Sequence, residues 1–238
     1  DIGAIEKSIT SATKAIILNS PNNPTGVIYS EETLKKLADL LEQKGKELGT
    51  EIYVISDEPY AKIVYDGAKV PSVLKIFKNA IVVNSFSKSL ALPGERIGYI
   101  AASPNIKDVD ILINAMIFAN RTLGFVNAPS LMQKVVAESL EEAVDIESYK
   151  KKRDVLYDKL TSLGFSCIKP QGAFYLFPRT PIDDDVEFVN QALKYNLLLV
   201  PGSGFGYPGY VRLSYCISMD IIENSFPAFE ALAKEYLR

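Results

Sequence analysis

The sequence has 238 residues, of which 47% are hydrophobic and 23% charged, with a net charge of −3. That balance argues against a nucleic-acid partner, and no apolar run reaches the roughly 18 residues of a membrane span. Histidine is absent, which removes His-ligated metals and the Ser-His-Asp and Cys-His triads. Proton transfer then falls to Lys, Tyr, Asp, Glu or Cys. Two cysteines, Cys167 and Cys216, allow at most one bridge and fit a reducing compartment, so a cytoplasmic location is expected.

The chain opens at Asp1 with no leader-like pattern, and we read it as a piece of a longer protein. Residues 2–9 predict a helix running into an apolar strand at 15–18. Asn22-Asn23-Pro24-Thr25-Gly26 then forces a loop. Ser30 caps the next helix, Glu31 and Glu32 suit its first turn, and Leu34, Leu37, Ala38 and Leu41 recur at helical spacing up to Gly45. Strands follow at 52–56, 80–83 and 97–102. Short apolar runs separated by helices or long connections argue a mostly parallel α/β sheet of about four strands, buried on both faces.

Beyond Ser103-Pro104 the pattern changes. Residues 108–120 and 128–163 read as helical, the second stretch broken near Asp145. Short strands are expected near 165–168, 173–177, 197–200 and 211–215, with helices near 184–195 and 220–237. The domain expectation is therefore a partial large domain over 1–145 and a smaller C-terminal α+β domain over 146–238.

Polar clusters follow three successive strands: Asn23, then Asp57 and Tyr60, then Ser85 and Lys88. Parallel strands would set them along one rim, where open α/β sheets bind ligands. Arg96 lies eight residues beyond Lys88. Such a set suits an anionic ligand with a basic ring nitrogen and a carbonyl that condenses with the lysine.

Five segments carry a resemblance: Asn22-Asn23-Pro24-Thr25-Gly26, Ser56-Asp57-Glu58-Pro59-Tyr60, Ser85-Phe86-Ser87-Lys88-Ser89-Leu90, Pro93-Gly94-Glu95-Arg96-Ile97-Gly98-Tyr99 and Tyr210-Val211-Arg212-Leu213-Ser214. In this order they resemble the class I/II pyridoxal-phosphate-dependent aminotransferases of fold type I, over nearly the whole chain. The resemblance implies pyridoxal 5′-phosphate as cofactor and ping-pong exchange of an amino group between an amino acid and a 2-oxo acid through a lysine Schiff base. It implies that Lys88 forms that linkage and shuttles the proton. Asp57 would pair with the pyridine nitrogen, and Tyr60 and Asn23 with the phenolate oxygen. Ser85, Ser87 and Arg96 would hold the phosphate, Arg212 would grip the substrate α-carboxylate, and Asn23 is implied as a substrate-binding residue as well. A homodimer is implied as well.

Full members of that family carry a further N-terminal part, with a glycine turn against the phosphate and an aromatic residue stacked on the cofactor. The chain is expected to be the C-terminal portion and inactive alone. Two other functions stay open: a pyridoxal-phosphate lyase or decarboxylase, and an aminotransferase-like ligand-sensing domain of a transcription regulator. Pro201-Gly202-Ser203-Gly204-Phe205-Gly206 lacks phosphate-loop spacing and reads as a tight turn. Asp183-Asp184-Asp185 reads as a solvated turn before a helix, and Arg121 as a helix-surface residue.

Overall fold

The structure, a computed structural model, describes residues 1–237. They pack as two compact units. The first comprises Asp1–Ser20, Ile28–Lys62 and Lys69–Val144; the second comprises Pro21–Val27, Ile63–Ala68 and residues 145–237.

In chain order the first unit holds α1 (Ile2–Ser8), β1 (Ala15–Asn19), α2 (Glu31–Leu48), β2 (Tyr53–Asp57), α3 (Val73–Ile76), β3 (Ala80–Ser85), α4 (Phe86–Ser89), β4 (Gly98–Ala102), α5 (Val109–Thr122) and α6 (Ser130–Glu138). The sheet order is β1-β2-β3-β4. β1, β2 and β3 are parallel, and β4 returns antiparallel to β3. Ser30 caps α2 by accepting from the Thr33 N–H. The helix runs past Gly45 and ends at Gly49, in the left-handed region at φ 61°. Gly45 serves a different need: a Cβ there would lie 2.8 Å from the Thr50 carbonyl oxygen.

One face of this sheet is covered. Leu18, Val54, Ala80 and Val82 pack with Leu34, Leu37 and Leu41 of α2 and with Val73 and Phe77. Each such large aliphatic side chain contributes about 1.5–3 kcal/mol on burial. The alternation of a strand sends neighbouring residues to the other face, and there Ile17 is 72% and Ile100 53% exposed. α5 buries no residue at all. On that second face Ile81 is buried while Ile17 and Ile100, in the flanking strands, stay exposed, so the expectation of a sheet buried on both faces holds for one face and only in part for the other.

The second unit holds α7 (Ile146–Ser162), β5 (Tyr175–Leu176), α8 (Asp185–Leu193), β6 (Val200–Pro201), β7 (Val211–Ser214), α9 (Met219–Asn224) and α10 (Phe226–Tyr236). Its sheet, in the order β5-β7-β6, is antiparallel. Asp145 caps α7, accepting from the Ser148 N–H. Phe165 meets Phe188 and Phe229 edge-on in the core. Arg153 is 1% exposed. Its guanidinium bonds Asp66, Asp154 and the Pro170 carbonyl and lies over the Tyr65 ring, fixing residues 63–68 within this unit.

Two expected elements differ. Residues 165–168 form no strand: Arg179 donates to the Ser166 carbonyl, and then Gln171 and Gly172 turn to the Gly26 carbonyl. The helix expected over 220–237 is two helices parted at Ser225, because Pro227 stands in the first turn of α10 and has no N–H to continue α9.

Candidate functional site

In the first unit, parallel register aligns the ends of β1 and β2 by pairing Asn19 with Asp57. Asp57 in turn pairs with Val83, two residues before Ser85 closes β3. Asp57 is exposed as a residue, yet its carboxyl sits close enough to the sheet end to lose hydration, which raises its pKa. The Glu58 N–H donates to the Val83 carbonyl at 2.9 Å, anchoring the chain as it leaves the sheet. Tyr60, expected beside Asp57, is 4% exposed.

β3 passes directly into α4, so Ser85, Ser87 and Lys88 stand half-buried at the same end of the sheet as Asp57. Ser85 occupies the N-cap position but makes no side-chain cap bond, so its hydroxyl is not spent on capping. Arg96 follows the short 3-10 turn Pro93–Glu95. Its backbone is left-handed at φ 52°, a conformation that costs a non-glycine residue about 1–3 kcal/mol and concentrates at functional sites. Arg96 Nη1 donates to the Pro93 carbonyl at 2.7 Å, and among the described residues no carboxylate lies within ion-pair distance of it. Gly98, opposite Ser85, has no room for a side chain: a Cβ would come within 2.3 Å of the Asn84 carbonyl oxygen.

Asn23 and Arg212 both belong to the second unit. Arg212 projects from β7, and its Nη1 donates to Asn23 Oδ1 at 3.0 Å. The guanidinium lies between two rings, 4.7 Å from the centroid of Tyr175 and 4.9 Å from that of Phe205. Among the described residues no carboxylate pairs with it. An arginine stacked between rings keeps its planar fork aimed, and the fork matches a carboxylate.

Sequence reasoning overlooked two residues here. Asn19 closes β1, and its side chain reaches Asp57; the signal was its place as the last strand residue, level with the carboxylate. Gly98 admits β4 beside the end of β3. The features read as structural take these forms. Gly202–Phe205 is a 3-10 turn ended by Gly206, and Arg121 is exposed on α5. In the aspartate run, Asp184 caps α8, but Asp185 turns inward and accepts from the Ser203 N–H at 2.6 Å. No acidic or cysteine cluster able to hold a metal occurs among the described residues. Cys167 and Cys216 are free thiols, and no helix is long and apolar enough to cross a membrane.

The family model described as aminotransferase class I and II matches residues 1–225. The aspartate aminotransferase of Bacillus subtilis is 35% identical, over 98% of this chain and 60% of its own length. A probable aspartate aminotransferase of Methanocaldococcus jannaschii is 37% identical, over 94% and 60%. Among solved structures, an aminotransferase from Eubacterium rectale superimposes with a TM-score of 0.97 at 49% identity, over 100% of this chain and 60% of that one. The chain thus spans about 60% of the length of the relatives it matches.

Proposed function

The chain belongs to the class I and II aminotransferases, and on that footing we propose that the protein carrying it exchanges an amino group between an amino acid and a 2-oxo acid, with pyridoxal 5′-phosphate as cofactor. The observation that carries this reading is Arg212: a half-buried cation, stacked between two rings and bonded to a neutral amide, with no carboxylate of the described residues beside it. A substrate α-carboxylate completes it.

The residues of the first unit fit the cofactor by the chemistry of their donors. Ser85, whose hydroxyl makes no cap bond, Ser87, and Arg96, with no acidic partner among the described residues, suit a phosphate dianion. Asp57, whose carboxyl is partly desolvated with no cation of the described residues to offset it, suits a protonated ring nitrogen. Tyr60 of this unit is assigned to the ring oxygen, as is Asn23 of the second unit by the family resemblance. Lys88, in α4 just beyond the end of β3, supplies the amine that would hold the carbonyl group. When bound, the cofactor supplies an electron sink for the bond broken at the substrate α-carbon.

The chain's own residues perform the remaining work. Arg212 and Asn23 orient the substrate, so that one bond at its α-carbon faces the reacting group. Lys88 Nζ takes the proton from that α-carbon and later returns a proton as general acid, which serves both halves of a ping-pong cycle. Asp57 holds a proton on the ring nitrogen through a charge-assisted hydrogen bond. A cytoplasmic homodimer is part of the reading. Its support is the apolar surface of the first unit, where Ile17, Ile111 and Phe118 are each more than two-thirds exposed. The test is a single-turnover panel of amino acids, followed by the loss of cofactor absorbance and the appearance of the 2-oxo acid. Amino acids that yield no 2-oxo acid but release carbon dioxide or an unsaturated product would replace transamination with decarboxylation or elimination.

A further inference from the structure

Asp57 ends β2, where the parallel ladder stops and main-chain groups lose their sheet partners. The amide of Asn19 meets it there. Asn19 Nδ2 donates to the Asp57 carbonyl oxygen at 2.9 Å and reaches Asp57 Oδ2 at 3.4 Å. One side chain of β1 therefore touches both the backbone and the carboxylate of its register partner. On the opposite flank the Glu58 N–H is tied to Val83 of β3. Asp57 is held from both neighbouring strands.

The residue type matters. Partial burial disfavours the ionised form of Asp57, and Glu58, the adjacent acid, feels the Asp57 charge as well. An N–H donor at Oδ2 acts against both. An aspartate at position 19 would add a further negative charge, and an alanine would reach neither acceptor. Of the two neutral amides, asparagine is the one whose reach matches a partner in direct register across a ladder of about 4.8 Å.

We propose that Asn19 is a positioning residue for Asp57, aiming the carboxylate and keeping it ionised for the ring nitrogen of the cofactor. The inference rests on the reading that Asp57 meets that nitrogen, and its consequences separate from that reading in two measurements. The first uses the chain without cofactor: the Asp57 carboxyl is titrated by NMR in the parent, in Asn19→Ala and in Asn19→Asp. Loss of one hydrogen bond should raise the Asp57 midpoint by about 0.4 to 1 pH unit in Asn19→Ala, and Asn19→Asp should raise it further. An unmoved midpoint in a folded variant overturns the proposal. Asn19→Asp keeps the size of the side chain and carries the test if Asn19→Ala does not fold.

The second measurement uses the cofactor-loaded protein and a double-mutant cycle. Asn19→Ala slows the amino-acid half-reaction, and adds no further loss in an Asp57→Ala background. Fully additive losses would remove Asn19 from the positioning role while leaving Asp57 in place. An Asp57→Ala protein with the parent rate would instead remove the reading on which the inference rests.

Discussion

Arg212 Nη1 donates to Asn23 Oδ1 at 3.0 Å, across 189 positions of sequence. The bond brings the residue after a strand near one end of the chain onto β7 near the other. The two residues share a unit because Pro21–Val27 packs with the C-terminal elements. Gly26 makes that packing possible: at φ 67° it approaches Pro170 so closely that a Cβ would lie 2.5 Å from the proline Cβ.

Arg212→Lys keeps the charge but loses the fork and the stacking on Tyr175 and Phe205. A hydrogen bond to a charged group is worth about 1.5–3 kcal/mol. We expect kcat/KM for an amino acid to fall about 10- to 100-fold, in steady-state assays of the protein carrying this chain. A lysine variant at the parent value would show that Arg212 does not grip the carboxylate.

Asp57→Ala should slow the half-reaction at least about tenfold while the protein still retains cofactor, since the phosphate is held elsewhere. Stopped-flow absorbance gives the rate and a dialysis equilibrium gives retention. Equal losses in both would make Asp57 a binding residue only.

Asp154 carries a pH-dependent part of the stability of the second unit. Burial alone would raise its pKa, but hydrogen bonds from Lys169, Arg153 and Lys150 outweigh burial and hold it down at about 2. The unfolded value is near 3.9. The folded state therefore gains stability above that value, and the gain is lost as pH falls toward 2. Urea midpoints should drop between pH 5 and pH 2.5 in the parent, and less in Asp154→Asn. Arg153→Ala leaves Lys150 and Lys169 on Asp154 but removes the donor of the Pro170 carbonyl, and should cost about 1–3 kcal/mol.

The uncovered face of the first unit predicts association. With Ile17, Ile100 and the whole of α5 accessible, the 238-residue chain should scatter light as a dimer or larger species. A monodisperse monomer over a range of concentrations would contradict this.

Much of this was legible in the residues. Apolar runs marked β1 to β4, Ser30 announced the start of α2 through its capping oxygen, and the break expected near Asp145 falls where α7 begins. What stayed hidden depends on tertiary placement. β5 and β6 are two residues each, shorter than the strands expected near 173–177 and 197–200, because the apolar runs outlast the ladders they join. The break between α9 and α10 was readable from Pro227 but was overridden by a continuous helical pattern. Asn19 looked like the first polar residue of a loop, because its use depends on register with Asp57, which no local pattern reveals. Asp185 was read as solvated because its acceptor role depends on Ser203, eighteen positions away.

Lys88 as the residue that holds the cofactor is the claim on which the account turns. The direct measurement is borohydride reduction of the cofactor-loaded protein, followed by proteolysis and peptide mapping by mass spectrometry. The account predicts one pyridoxyl group per chain, on Lys88, and none in Lys88→Ala, whose half-reaction rate falls by at least the general-base contribution of about 10²–10⁴-fold. A pyridoxyl group on any other lysine, or undiminished labelling of Lys88→Ala, would contradict it.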